Sequence, residues 1–174
     1  MNFQNNQIDI NDLPTIEEIV FEKLHPNYKK ISVYITGIVF TILLSVYFAI
    51  GLFVEEILLF PIVLMVMIGW SIVTGLSIIL SIKGYEYQGY ALREKDVLYK
   101  NGIFFKSTVI VPFNRIQHCE IEQGPIDRQF DLAELSLFTA GGSSSDVSIP
   151  GLTLDKANAL KNFITNRTAK DEEE

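Results

Sequence analysis

Two long apolar stretches without a charged residue limit what this chain can fold into. They run from Ile31 to Val54 and from Ile57 to Ile82. Helices over these stretches would be about 36 and 39 Å long, whereas the hydrocarbon core of a bilayer is about 30 Å thick. Core helices of a soluble bundle would carry polar residues at helical spacing, and neither stretch does. We therefore predict a transmembrane helical hairpin over residues 31–82, with helices 31–54 and 57–82 joined at Glu55 and Glu56.

The basic residues around these stretches predict the orientation of the hairpin. Lys29 and Lys30 precede the first stretch and Lys83 follows the second, whereas the tip has no Lys or Arg. Because positive residues favour the inner side of a membrane, we expect a multi-pass protein of the cell membrane with both termini cytoplasmic. Residues 1–30 lack the apolar segment of a cleavable signal peptide. The bilayer itself is the first expected partner.

Small residues form a stripe along the first predicted helix. Gly37, Thr41, Ser45 and Ala49 follow one another at intervals of four residues. Such a stripe lets two helices approach closely in lipid. The favoured interpretation is that it closes the hairpin, and the alternative is that it packs against a helix of another protein. The absence of ionisable residues from both stretches argues against an ion or proton pathway.

The segment before the first stretch reads as an N-terminal tail, residues 1–30, that contains a short amphipathic helix. Its apolar face would consist of Ile16, Ile19, Val20 and Leu24, with Pro14 near its start and Pro26 at its end. The helix is acidic on balance, which is unsuited to anionic lipid. Packing on the chain's own domain or on a partner is the expectation.

Residues 83–167 are predicted to form a β-rich domain, followed by an acidic tail over 168–174. Alternation of polar and apolar residues indicates strands near 85–92, 97–100, 103–113, 116–122, 133–140 and 147–150, with a short helical or irregular segment at 126–130. Asn101-Gly102 is a typical hairpin turn. Thr153 can cap a final helix whose apolar face is Ala157, Leu160, Phe163 and Ile164. The predicted fold class is an α+β membrane protein with a small antiparallel β-barrel or sandwich capped by a C-terminal helix.

Composition excludes several functions. The net charge of −7 argues against a nucleic-acid-binding protein, which would present a basic face. The single cysteine, Cys119, excludes an intrachain disulfide, and there is no Cys/His cluster of the kind that holds zinc. We expect no cofactor and no metal.

Three groups of polar residues could suggest catalytic or phosphate-binding sites. His118 and Cys119 are neighbours on a predicted strand, so their side chains point to opposite faces and cannot form a catalytic pair. Asp127, Arg128 and Asp131 are better explained as a structural salt-bridge cluster. The Gly-Ser-rich segment 141–146 lacks the Lys of a phosphate-binding loop and opens no helix. We therefore predict a protein that is not an enzyme and assign no catalytic, cofactor or metal residues.

Several short motifs follow one another in a specific order along residues 24–165. They are Leu24-His25-Pro26, Pro112, Ile116-Gln117, the strand Glu120–Glu122, Gln123-Gly124-Pro125, Arg128, Phe130-Asp131-Leu132, Thr139-Ala140-Gly141-Gly142 and Ile149-Pro150-Gly151-Leu152. In this order and spacing they resemble a known family, the second group of bacterial pleckstrin-homology-like (PH-like) domains found in YdbS-like membrane proteins. Asp131 departs from the family pattern, which has Gly there, but Asp tolerates the positive φ that Gly would supply.

The resemblance implies a PH-like fold and a membrane anchor but no known ligand. Our leading hypothesis is a non-enzymatic adaptor or scaffold in a membrane protein complex. Its partner would be another integral membrane protein, possibly a related one with a PH-like domain. The alternative is a module that senses lipid head groups at the inner membrane surface. The first hairpin of the domain, Arg93-Glu94-Lys95-Asp96, is charge-balanced and offers no dedicated basic site for a head group.

Overall fold

The computed structural model describes residues 19–140 and 147–171. In chain order the elements are β1 (Glu22–Lys23), α1 (Pro26–Gly51), α2 (Phe60–Glu86), β2 (Gly89–Leu92), β3 (Asp96–Asn101), β4 (Ser107–Pro112), β5 (Ile116–Glu122), α3 (Pro125–Gln129), β6 (Leu132–Thr139), β7 (Val147–Thr153) and α4 (Leu154–Asp171). Two 3₁₀ turns, Glu55–Leu58 and Phe113–Arg115, complete the described elements.

The two apolar stretches form two antiparallel helices, α1 and α2, that are long and apolar enough to cross a membrane. The contacts between the two helices lie along one face of each helix. Phe40 meets Trp70 edge-on with ring centroids 5.3 Å apart, and the hydroxyls of Thr36 and Ser81 are hydrogen-bonded at 3.1 Å. Near the tip, the hydroxyl of Tyr47 donates to the carbonyl of Ile57 at 2.7 Å. Aromatic packing and paired hydroxyls therefore close the hairpin.

The stripe of small residues does not close the hairpin, and this interpretation was wrong. A Cβ added to Gly37 would meet nothing within 4 Å, so the facing helix lies elsewhere. Thr41 and Ser45 are exposed, and their hydroxyls donate to carbonyls of their own helix. The hairpin contact uses the adjacent row of α1, about 100° around the helix from the stripe.

The segment before α1 is not the predicted amphipathic helix. Pro14 and Ile16 lie outside the described residues, but Ile19–His25 contain no helix, and Glu22–Lys23 form strand β1. Pro26 begins α1 instead of ending a helix, as its fixed φ and missing N–H allow in a first turn. Leu24, only 2% exposed, belongs to the core of the β-domain. Part of the assigned tail is thus part of the domain.

The β-domain consists of two antiparallel sheets and a C-terminal helix. One sheet has the order β1-β2-β3-β4 and the other β5-β6-β7. Their inner faces form one core, which α4 covers with Ala157, Leu160 and Ile164. Thr153 Oγ1 accepts the N–H of Lys156 at 3.3 Å, as predicted for the helix cap. The α+β fold class is confirmed, and of the two predicted forms the sandwich is correct because the sheets do not close into a barrel.

Some element boundaries differ from the predictions. Helix α2 continues through Tyr85 to Glu86, so the first strand after it is only four residues long. The β3–β4 turn spans residues 102–106 instead of two residues, and Gly102 has φ 109°. Helix α4 extends to Asp171, into the predicted tail. Asp131 has the expected positive φ, 55°.

Strand β1 is tied to the domain by a pair of polar contacts. The carboxylate of Glu22 accepts the hydroxyl hydrogen of Tyr90 at 2.7 Å and forms an ion pair with Lys156 of α4. The hydrogen bond with Lys156 is the main reason that the pKa of Glu22 lies below its ordinary value. A lowered pKa means that the folded state is stabilised above the ordinary carboxyl pKa, and that this contribution is lost as the pH falls through the folded-state pKa.

Substitution of Glu22→Gln is therefore expected to destabilise the protein in a pH-dependent way. At neutral pH the free energy of unfolding should fall by about 1 kcal/mol, because the pair is partly exposed. At about pH 3, below the ordinary carboxyl pKa, the difference should be smaller, because the contribution of the carboxylate is lost as the pH falls through the lowered folded-state pKa. Denaturant unfolding of the purified protein at both pH values measures this, with the exposed Glu94→Gln as control. A difference that persisted unchanged in acid would contradict the prediction.

Candidate functional site

A groove of about 370 Å³ runs between strand β5 and helix α4. From the strand it is lined by the four consecutive residues Ile116–Cys119, and from the helix by Lys161, Ile164, Thr165 and Thr168. Side chains of a strand alternate between two faces. Four consecutive lining residues therefore mean that the backbone edge of β5 forms one wall of the groove.

This edge of β5 is open because of the sheet topology. In the order β5-β6-β7, β5 is terminal and pairs only with β6, and no other described strand lies beside it. Among the described residues, no backbone hydrogen bond joins helix α4 to β5 along the groove. Contacts with the segment before β5 hold the helix there: the rings of Phe163 and Phe113 pack edge-on at 6.0 Å, and Thr168 Oγ1 lies 3.4 Å from the Phe113 carbonyl.

The groove is suited to binding more than to nucleophilic chemistry. Cys119 points into the core, and burial raises the pKa of its thiol despite the opposing charge of Lys161. His118 points outward and stacks on Phe138 with ring centroids 4.3 Å apart. This confirms the structural interpretation of the pair, with one side chain in the core and the other on the surface.

The other polar groups noted in the sequence have structural roles. Asp127 accepts the N–H of Gly124 at 3.2 Å and so caps α3. Among the described ion pairs, none joins Arg128 to Asp127 or to Asp131. The predicted salt-bridge cluster was therefore wrong. Arg93 is bound to Asp96 through two contacts of 2.6 Å. Segment 141–146 lies outside the described residues. Within 19–140 and 147–171, no three His, Cys, Asp or Glu side chains are grouped as metal ligands.

The junction between the helices and the domain is the second notable site. The N–H of His25 donates to the carbonyl of Gly151 at 2.8 Å, and the hydroxyl of Tyr85 donates to the carbonyl of Leu24 at 2.7 Å. Gly151 has φ 64°, and a Cβ there would lie 2.7 Å from the Cβ of Tyr28. Two motifs that are far apart in sequence, Leu24-His25-Pro26 and Ile149-Pro150-Gly151-Leu152, thus meet at this junction.

Sequence reasoning missed both sites for the same reason. The groove depends on which strand ends a sheet, and the junction depends on which distant segments meet. For the junction, the sequence did contain a signal, since both of its motifs belong to the family pattern. The pattern does not show, however, that the two motifs are in contact. The motif Ile116-Gln117 does lie at the open edge of β5, but its residue types give no sign of a groove.

Comparison with known proteins agrees with this fold and this anchor. The model of the family described as bacterial PH domain matches residues 33–168. The chain belongs to this family. It is similar to the UPF0699 transmembrane protein YdbS of Bacillus subtilis (strain 168), with 34% identity over 76 residues, which are 44% of this chain and 46% of that protein. The match thus spans about half the length of this curated relative. No solved structure matches the chain significantly.

The match identifies this chain as a membrane protein with a bacterial PH domain. The resemblance drawn from the motifs is thereby confirmed, as are the PH-like fold and the membrane association. From here on, the two sheets with α4 are called the PH domain.

Replacement of Gly151 by Ala is expected to disrupt the junction. The positive φ alone costs about 1–3 kcal/mol for a residue with a Cβ, and the contact with Tyr28 adds to this because a Cβ cannot rotate away. Gly37→Ala is the matched control: it lies in a helix with open space around it and should be neutral or slightly stabilising. Thermal unfolding in mild detergent compares the two variants. Equal melting temperatures would show that the junction is not as tight as described.

Proposed function

We propose that this protein is a non-enzymatic adaptor in a membrane protein complex, anchored in the cell membrane with both termini in the cytoplasm. In this proposal the PH domain binds an extended segment of a partner in the groove between β5 and α4. The observation that carries the proposal is the open backbone edge of β5 beside a helix.

The physics of strand addition supports this role. An edge strand offers unpaired N–H and C=O groups, and an extended peptide can satisfy them by adding one strand to the sheet. Side chains of the added strand that point to the helix side would enter the space between Lys161, Thr165 and Thr168. Backbone pairing would then supply affinity, and the groove would select among side chains.

The anchor supports a partner that is itself a membrane protein. Confinement to a thin layer at the bilayer raises the effective concentration of the PH domain towards neighbouring membrane proteins without any additional contact. We propose another integral membrane protein as the partner, possibly a related one with a PH-like domain. The lysines of α1 and α2 lie at the helix ends next to the PH domain. They favour the orientation in which the groove is inside the cell.

Sensing of lipid head groups by the PH domain alone ranks second. A head-group site at the first hairpin would need free basic side chains, but Arg93 is paired with Asp96, and Lys100 lies over the ring of Phe21 with its Nζ 5.4 Å from the ring centroid. These internal contacts favour the adaptor. A lipid assay would need the full-length chain, since a fragment of residues 84–167 would lack Leu24 of the core.

The proposal is tested by filling the groove. Thr165→Arg places a long side chain between α4 and β5, whereas Asn166→Arg adds the same charge at the next helix position, outside the groove lining. Full-length protein is cross-linked in native membranes, solubilised in mild detergent and affinity-purified. We expect the wild type and Asn166→Arg to recover the same membrane protein, and Thr165→Arg to recover at least about tenfold less.

A photo-reactive residue at Gln117 adds a second measurement, because Gln117 lines the groove from the strand side. It should cross-link to the same partner. Recovery of the chain alone as a monomer, or equal recovery by both arginine variants, would contradict the proposed function.

A further inference from the structure

A second groove lies where the two helices meet the PH domain. It encloses about 610 Å³, and its apolar walls include Val33 and Tyr34 of α1, Ile82 of α2, and Phe130, which follows α3. Phe130 meets Tyr34 edge-on, with ring centroids 6.5 Å apart. Val33, Tyr34 and Ile82 belong to the uncharged stretches, so this groove adjoins the bilayer and not only the aqueous side.

The opposite end of this junction groove is basic. Lys29 and Lys30 line it. Lys30 donates to the amide oxygen of Asn27 at 3.1 Å, and neither lysine forms an ion pair with a carboxylate in the described part of the chain. Two positive charges without a carboxylate partner therefore flank an apolar wall at the end of a membrane-spanning stretch.

We propose that the junction groove binds an anionic glycerophospholipid from the surrounding bilayer. One acyl chain would lie against Val33 and Ile82, and the phosphate would face Lys29 and Lys30. Basic pockets at the ends of transmembrane helices bind anionic head groups in this way. The volume lies within the range of sites for small molecules. The apolar wall and its place beside the bilayer favour a lipid over a soluble phosphate compound.

The inference concerns the anchor and does not depend on a partner in the β5–α4 groove. It also differs from lipid sensing by the PH domain alone, since most of the wall residues come from α1 and α2. A lipid in this position would contact both the helices and the domain, and it would stabilise the orientation in which they meet.

The test compares two pairs of lysines with the same charge. Lys29→Gln with Lys30→Gln removes the basic end of the junction groove, whereas Lys23→Gln with Lys83→Gln removes two charges that are near the same boundary but do not line it. Native mass spectrometry of full-length protein, released from detergent with phosphatidylglycerol and phosphatidylcholine in competition, measures retained lipid. Wild type and control should prefer phosphatidylglycerol, and the first pair should bind it roughly tenfold more weakly.

A third variant tests the apolar wall of the junction groove separately from its basic end. Val33→Trp fills the apolar wall without changing a charge and should also release the lipid. Soluble glycerol phosphate should not compete. The proposal is overturned by equal loss in both lysine pairs, by retention of lipid in Val33→Trp, by the absence of a preference for phosphatidylglycerol, or by competition from glycerol phosphate.

An independent observation concerns the turn between β3 and β4. Phe104 and Phe105 at its tip are 76% and 91% exposed. The same turn touches the end of α2, since the Cδ1 of Ile103 lies 3.5 Å from where a Cβ on Gly84 would be. Gly84 lies just beyond the second uncharged stretch. The two rings are therefore close to the level at which α2 leaves the bilayer.

We infer that Phe104 and Phe105 insert into the interfacial layer of the membrane beside α2. Apolar residues such as Phe bury at the boundary of head groups and acyl chains, and exposure of two adjacent phenylalanines to water would be unfavourable. Insertion would give the PH domain a contact with lipid on the β3–β4 side, apart from the helices themselves.

Fluorescence of a tryptophan at the tip tests this inference. Trp70 is the single tryptophan of the chain, so the variant Phe105→Trp in a Trp70→Phe background reports on the turn alone. In liposomes we expect quenching by brominated lipids and protection from aqueous acrylamide. The reverse pattern, strong quenching by acrylamide and none by brominated lipid, would overturn the inference.

Discussion

The pairing of β1 with β2 is the constraint on which the rest of the structure depends. These strands lie on either side of the helical hairpin in sequence, yet Glu22 is opposite Tyr90 and Lys23 is opposite Gly89. Both ends of the hairpin are therefore fixed at one edge of one sheet. Gly89 permits this close approach, because a Cβ there would lie 3.0 Å from the carbonyl oxygen of Glu22.

This pairing makes the anchor and the PH domain one structural unit. Leu24 contributes about 2 kcal/mol of apolar burial to the domain core while its carbonyl accepts the hydroxyl of Tyr85 in α2. His25 joins α1 to β7 through the carbonyl of Gly151. A change of tilt between the helices and the domain would have to break these bonds, so the domain is held at a defined position against the bilayer rather than tethered by a linker.

A fixed position gives the two grooves different surroundings. The groove between β5 and α4 is built from the PH domain alone, and its open strand edge suits a polypeptide. The junction groove is built mostly from α1 and α2, and its wall is continuous with the lipid-facing surface. The proposed partner segment and the proposed lipid would therefore occupy separate places on the protein.

The sequence predicted the parts of this fold that depend on local pattern. Uninterrupted apolar residues determine the two helices, alternation and turn residues determine most strands, and Thr153 with the spacing from Ala157 to Ile164 determines the final helix. The positive φ at Asp131 was expected because the family pattern has Gly at this position, and Asp is one of the few residues that tolerate it. The family motifs identified the PH-like fold because their order along the chain can be read directly from the sequence.

Features of the fold that depend on contacts between distant residues could not be predicted from local sequence pattern. The apolar residues around Leu24 are compatible with one face of a helix and also with a short strand. The strand forms because its backbone pairs with the edge of β2. Gly37 and Thr41 have the spacing of a helix contact, but the interface lies one row away, where the ring of Phe40 packs on Trp70. Both grooves likewise arise from strand order and from the meeting of remote segments. The sequence by itself determined most of the elements and the membrane anchor, and only the tertiary structure decided where those elements leave surfaces for binding, because local periodicity carries no information about which edges remain unpaired.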